Sequence, residues 1–366
     1  MSTVVDSLAN GAVLVHNAGN GVWDEGTRWR LVERYRVGNR ADQNEDFFTL
    51  LWALTSDAAD RLYALDRNAP QLRVYDSTGS LVRTLGRLGD GPGEFRNPTG
   101  LTWDNAGRLW VLDPLRARYV VYDTSGIVEK EYPRRVLGFT WPWAAWFDEA
   151  GYLYEQLFPR DRSKPVGRFR VDEDLVLVDT IRAGFEGIGG WDFWDLRGKK
   201  SPIVAIPIPF GRGPRWTIDP HGYLWVGHSS SYVIARRSIR GDTVLVVERS
   251  AQPVPITRSE RDSAAFPYAK NELLDLSLIP TTKPFFEQLA VDPANHLWVL
   301  RAGPGNTWFF DVFASDGKFM GSLDLPVSPW LDLPPRIGRD KLWVASSDSM
   351  DVQSIVCYEI VRGGQR

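Results

Sequence analysis

One phrase recurs along the chain and constrains its fold more than any other feature: an apolar strand, a tight turn opened by aspartate, then leucine followed by an aromatic residue. Its cleanest copy runs Leu101-Thr-Trp-Asp-Asn-Ala-Gly-Arg-Leu-Trp-Val-Leu-Asp113. Further copies turn at Asp57, Asp148, Asp219 and Asp292, and a degenerate one at Gly338. The anchoring leucines are Leu62, Leu109, Leu153, Leu224, Leu297 and Leu342, spaced by 47, 44, 71, 73 and 45 residues. A propeller blade takes roughly 40–50 residues, so three spacings are one blade each and two carry an insertion of about 25 residues. Aspartate starts such a turn by accepting from the backbone that follows it, and Gly or Asn supplies the positive φ of a tight hairpin. Third and fourth alternating runs follow, such as Tyr119-Val-Val-Tyr-Asp123 and Leu81-Val-Arg-Thr-Leu85. Four short antiparallel strands per repeat predict an all-β chain folded as a six-bladed β-propeller.

The last repeat ends at Ile360-Val-Arg362 without room for a fourth strand, whereas the run Trp29-Arg-Leu-Val-Glu-Arg-Tyr35 precedes the first repeat with no partner. The expectation is that this N-terminal strand closes the last blade and removes an open edge. The domain then spans residues 29–366, with residues 1–28 as a lead-in. Of 16 tryptophans, Trp110, Trp225, Trp298 and Trp343 share one repeat position, which marks them as packing between blades.

Composition excludes several functions. A net charge of -3 with no basic stripe gives no site for nucleic acid. No stretch reaches the roughly 20 apolar residues of a membrane-spanning helix. The single cysteine, Cys357, rules out an internal disulfide and a thiolate metal cage, and its apolar strand makes it a buried thiol. The start Met1-Ser-Thr-Val-Val-Asp6 has neither a basic region nor an apolar core. The protein is cytoplasmic if Met1 is its native start, and periplasmic or extracellular if an export signal has been removed.

The segment Gly86-Arg-Leu-Gly-Asp-Gly-Pro-Gly-Glu-Phe95, followed by Pro98-Thr-Gly-Leu-Thr-Trp-Asp104, resembles the NHL-repeat hallmark that links one blade to the next. More narrowly, the lead-in through Val15-His-Asn17, the run Pro255-Ile-Thr-Arg-Ser-Glu-Arg261 and Lys283-Pro-Phe-Phe-Glu287 are similar to those of largely uncharacterised exported six-bladed propellers of environmental bacteria. That resemblance implies an exported protein, and it is specific for fold far more than for activity.

Two insertions, residues 185–214 and 257–278, fall between a fourth strand and the next first strand. They are expected on one face of the ring, here called the top, together with the tunnel mouth. Thr257 or Ser259 would cap a short helix in the second insertion. Counting back from each turn places Leu50, Asn97, Trp141, Arg212, Phe285 and Trp330 at the tops of the innermost strands. The second strands end there with Asp66, Asp113, Leu157, His228, Arg301 and Ser346. Aromatic walls with a few directional polar groups describe a binding mouth. The expected ligand-binding residues are Asn97, Trp141, Trp191, Trp194, Arg212, His228, Arg301 and Trp330. Their ligand would be a small molecule, carbohydrate or peptide, or another envelope protein, with the chain itself a monomer. Asp66 and Asp113 have a structural alternative, pairing with Arg73 and Arg118 to brace their blades.

The alternative function is a hydrolase of the lactonase, arylesterase or phosphotriesterase type, with His228 as general base, Asp113 as its orienter and Arg212 or Arg301 stabilising negative charge. Related six-bladed hydrolases hold calcium through carboxylates and amides in the tunnel. Here Asn97, Glu45 and Glu287 are the candidates, and no cofactor is expected. A three-histidine zinc site, as in the peptide-amidating lyase, is excluded because His221 and His296 fall in turns at the opposite end from His228.

Overall fold

The computed structural model describes residues 2–38, 47–134, 145–157, 166–181, 189–196, 205–348 and 350–363. Trp141 and Glu45 lie outside the described residues. Six antiparallel sheets form the blades, whose innermost strands are Leu51–Ser56, Gly100–Trp103, Ala145–Phe147, Pro214–Ile218, Gln288–Val291 and Arg336–Ile337. Each inner strand leads through a tight turn, opened by aspartate in the first five blades, into the second strand, and the chain then steps outward.

The turn aspartate does more than open the hairpin. Asp104 accepts the backbone N–H groups of Ala106 and Arg108 on one oxygen, and the Trp110 indole N–H on the other at 2.9 Å. Asp219 and Asp292 hold Trp225 and Trp298 in the same way, each at 3.2 Å, while Asp57 and Asp148 hold Tyr63 and Tyr154. The residue three after each aspartate takes a positive φ: Asp60, Gly107, Gly151, Gly222 and Asn295. Thus one side chain fixes both the turn and the orientation of the large ring that packs between blades. All four repeat tryptophans are fully buried. The degenerate sixth copy lacks the aspartate, and Trp343 donates to the Tyr35 hydroxyl at 2.9 Å instead.

Tyr35 belongs to the N-terminal strand Arg30–Val37, which pairs antiparallel with Gln353–Val361 and completes the sixth blade. In every blade the pairing of third and fourth strands slips by one residue, before Tyr75, Tyr122, Phe169, Arg237, Phe313 and Tyr358. Such a bulge tightens the local twist. The sixth blade carries it although its two strands lie more than three hundred residues apart in sequence. Closure therefore reproduces the repeat geometry in full.

Residues 2–28, read from the sequence simply as a lead-in, pack along the outer edges of two blades. Ser2–Ser7 and Val13–Ala18 form a hairpin whose second strand pairs in parallel with Thr243–Arg249, the outer strand of the fourth blade. Buried Asn17 fastens it there, donating to the carbonyls of Glu248 and Gly317 and accepting the Phe319 N–H at 2.9 Å. The chain then crosses the outer edge of the fifth blade, where Trp23 N–H donates to Met320 O. Gly321 permits this approach, because a Cβ there would lie 2.3 Å from the Trp23 ring. One continuous N-terminal segment thus covers blades four and five before it closes blade six.

Candidate functional site

The two insertions do not lie separately on the top face; they fuse into a cap. The hairpin of Phe193–Asp195 with Ala205–Pro207 packs against the helix Arg258–Ala265 and the turns after it. Thr257 and Glu260 form a reciprocal capping box at the helix start. The cap has its own core of Trp194, Leu196, Ile208, Leu274 and Ile279. Trp194 is therefore not an open stacking surface: it is 3% exposed, edge-on to Tyr268, with its indole N–H donated to Asp275 O at 2.7 Å. An apolar cap needs a core of its own, and Trp194 supplies it.

Lys283 fixes the cap to the fifth blade. Its buried ammonium contacts Glu260 at 2.6 Å and donates to the carbonyls of Gly303 and Gly305. Burial alone would raise the Glu260 carboxyl, but Lys283 and the Thr257 N–H and hydroxyl outweigh it and bring it down to about 2.

At the foot of the cap, Trp191 lies over the Arg215 guanidinium, 4.2 Å from ring centroid to charge centre, and remains 43% exposed. Gly213 is required under this ring, since a Cβ there would approach it to 2.5 Å. Arg215 stands on the innermost strand of blade four and reaches Glu287, just ahead of the innermost strand of blade five, at 3.2 Å. Burial pushes the Glu287 carboxyl up, against the pull of Arg215 and Lys283, and the same burial lowers the Arg215 guanidinium. An aromatic face backed by a desolvated ion pair suits a ligand with a flat apolar side and polar edges.

Arg212 and His228 meet the same segment. Asp192 accepts the Arg212 backbone N–H at 2.7 Å, and the Arg212 guanidinium donates to the Thr282 hydroxyl. His228 Nε2 faces the Gly190 carbonyl at 2.9 Å, so Nε2 carries the proton and Nδ1 accepts from the Ser230 hydroxyl at 2.7 Å.

The remaining sequence-named residues are placed elsewhere. Asp113 is completely buried in blade two, where it accepts the N–H groups of Arg96 and Asn97; it orients no histidine. Nor does it brace Arg118, which pairs with Glu131, whereas Asp66 does pair with Arg73 at 3.5 Å. Arg301 is 7% exposed and shares Asp311 with Arg249, so it is an internal ion pair rather than a rim cation. Sequence counting put it at the mouth because the facing Asp311 sits on a different strand. Trp330 is half-buried between the sixth and first blades, away from the cap. Of the calcium candidates, Asn97 accepts from Arg67 at 2.7 Å and Glu287 holds Arg215, while Glu45 lies outside the described residues. Among the described residues no three His, Cys, Asp or Glu side chains gather to hold a metal.

A family model described as a 6-bladed beta-propeller matches residues 51–157. The chain is a six-bladed β-propeller. A protein of Bacteroides fragilis whose name calls it exported superposes on this propeller with a TM-score of 0.51 at 13% identity, covering 95% of this chain and 100% of that one. A protein of unknown function from Bacteroides thetaiotaomicron gives 0.52 at 13% identity, covering 92% of the propeller and 76% of its own chain. A member of the DUF4221 family from Bacteroides vulgatus gives 0.50 at 10% identity, with 92% and 100% covered. At such identities the likeness is one of fold. No curated protein matches the propeller. Among the described residues no helix is long and apolar enough to cross a membrane.

Sequence reasoning missed Arg215, although a signal was present. In the strand register its position corresponds to Ala53, Gly100 and Gln288 in other blades, so an arginine there breaks an uncharged pattern.

Proposed function

We propose that this protein is an extracytoplasmic binding propeller that recognises a carbohydrate, a peptide or another small molecule where the cap meets blades four and five. The observation that carries the reading is Trp191: a large aromatic ring left 43% exposed, yet fixed by Arg215 below it and by a position only glycine can fill. An ordinary surface tryptophan has no such support, whereas a stacking platform needs it. The location rests on the likeness to exported propellers and agrees with the name of the Bacteroides fragilis neighbour. A thermal-shift screen with oligosaccharides and peptides, repeated on Trp191→Ala, tests the site. The ligand-induced shift is expected to vanish while the unliganded melting temperature stays within a degree or so, as for most surface changes. A ligand whose shift is the same in both proteins binds somewhere else.

A hydrolase is the second reading, and one contact favours it. The Ser230 hydroxyl donates to His228 Nδ1 while Gly190 O fixes the far side of the ring, which is the arrangement of a nucleophile with an oriented base. Turnover of chromogenic esters or lactones that Ser230→Ala abolishes would establish it, and equal turnover by that variant would remove it.

A further inference from the structure

One sheet edge, on blade three, is open, apolar and framed by acidic residues, and blade four shows what such an edge accepts. The outer strand of blade three, Leu175–Ile181, pairs on one side with Val166–Val171 and, among the described residues, with nothing on the other. Val176, Leu177 and Val178 are exposed in succession, so apolar side chains stand out on both faces of the strand. Edge strands are ordinarily blunted by lysine or proline, and this one holds neither. Leu175 packs against the core between blades two and three, which anchors the edge.

Blade four carries the same order of residue types, already covered. There Leu245-Val-Val-Glu248 runs beside Val13-Leu-Val-His16 in a parallel pair, with Val13 opposite Leu245 and Val15 opposite Val247. The His16 imidazole then lies 2.6 Å from the Glu248 carboxylate. The run Val176-Leu-Val-Asp179 likewise presents three aliphatic side chains and then a carboxylate. Glu173 and Asp174 stand exposed just ahead of it. Asp172 is neutralised by Arg170 at 2.6 Å, whereas Lys130 from blade two reaches the Glu173 carbonyl rather than a carboxylate.

We propose that this edge docks an extended segment of another protein as a further strand, with aliphatic residues opposite Val176–Val178 and lysine or arginine at its ends. Main-chain hydrogen bonds supply the affinity, and the acidic frame selects a basic partner. A second copy of this chain does not meet that requirement. Its own blade-three edge brings Glu173, Asp174 and Asp179 against their equals, and its open strand Ser2–Ser7 places Asp6 after Val4 and Val5. Arg83, on the outer strand of blade one, is turned to the Ser125 carbonyl of blade two. The surface is independent of the reading given to Trp191.

The test titrates the whole chain into a labelled peptide, Lys-Thr-Val-Leu-Val-Lys-Thr, followed by fluorescence anisotropy. A twin with glutamate for both lysines and a version N-methylated at alternate amides are run beside it. The lysine peptide is expected to bind, the glutamate twin about tenfold more weakly, and the methylated one not at all. Leu177→Lys should weaken binding by about tenfold or more, while Val82→Lys on the outer strand of blade one should bind as wild type does. Asp179→Lys should narrow the preference for lysine over glutamate. No binding of the lysine peptide, equal binding of the two charged peptides, or undiminished binding by Leu177→Lys would overturn the proposal. So would a wild-type dimer, at the concentrations of the titration, that Leu177→Lys dissociates, since the occupant would then be a second copy.

Discussion

Blades one to three and blades four to six are built from the same repeat, yet their outer edges are treated differently. The outer strand of blade four is covered by the hairpin of residues 2–18, that of blade five is crossed at Trp23, and that of blade six is itself the N-terminal strand. Among the described residues nothing covers the outer strand of blade three, Leu175–Ile181, in this way, and Val176, Leu177 and Val178 are 39%, 48% and 41% exposed. The cap adds to the asymmetry, since its anchors are on blades four and five. The lesson is that the repeat decides the blade, while the chain terminus decides which blades are insulated. A long apolar edge strand is otherwise an invitation to pair with another chain.

The largest effect is expected from deleting residues 2–37, which removes the fourth strand of blade six and the cover of its neighbours together. The truncated chain should show no cooperative melting and should elute as aggregate in gel filtration; a folded monomer would mean that closure is dispensable. A charge placed under the cover should come next. Val15→Lys puts an ammonium at a site 1% exposed, with an expected cost of roughly 3–5 kcal/mol in chemical denaturation. Asn17→Ala leaves the Phe319 N–H and two carbonyls without partners and should cost about 1–3 kcal/mol, whereas Asn20→Ala nearby serves as a neutral control.

A smaller, local effect is expected from pH. The Glu260 carboxyl sits lower in the folded protein than its unbound value, so its contribution is present at neutral pH and is lost as pH falls from the unfolded value toward about 2. Hydrogen exchange over residues 257–279 should accelerate in that window before the blades respond, and Glu260→Gln should show the faster exchange already at pH 7. Unchanged exchange in the variant would show that Lys283 does not hold the cap. The smallest stability change belongs to the bare half: Leu177→Lys should alter stability by no more than about 0.5 kcal/mol while reducing self-association at high concentration.

The blades were legible in the sequence because their determinants are local. The turn aspartate, the positive-φ residue and the ring six positions on all fall within seven residues, and their energetic links are the hydrogen bonds seen at Asp104. The closing strand was legible because the last repeat lacked one and Trp29–Tyr35 had none to join. The attachment of Val13–Ala18 to Thr243–Arg249 was not, since a parallel pairing across that distance leaves no turn to betray it. The cap core was hidden for the same reason: Trp194 reads as a rim aromatic until Leu274 and Ile279 arrive from the other insertion. At the candidate site, His228 and Arg212 stood out by breaking the repeat, but charges neutralised from another strand, as Arg301 is by Asp311, could not be discounted from spacing alone.

Hydrogen exchange of the intact protein, read peptide by peptide, tests circular closure most directly. Amides of Leu31–Val37 are predicted to exchange as slowly as those of Ile355–Val361, and both segments should open in one event on adding denaturant. Rapid exchange of residues 31–37 beside a protected 355–361 would mean that the two ends of the chain do not share a sheet.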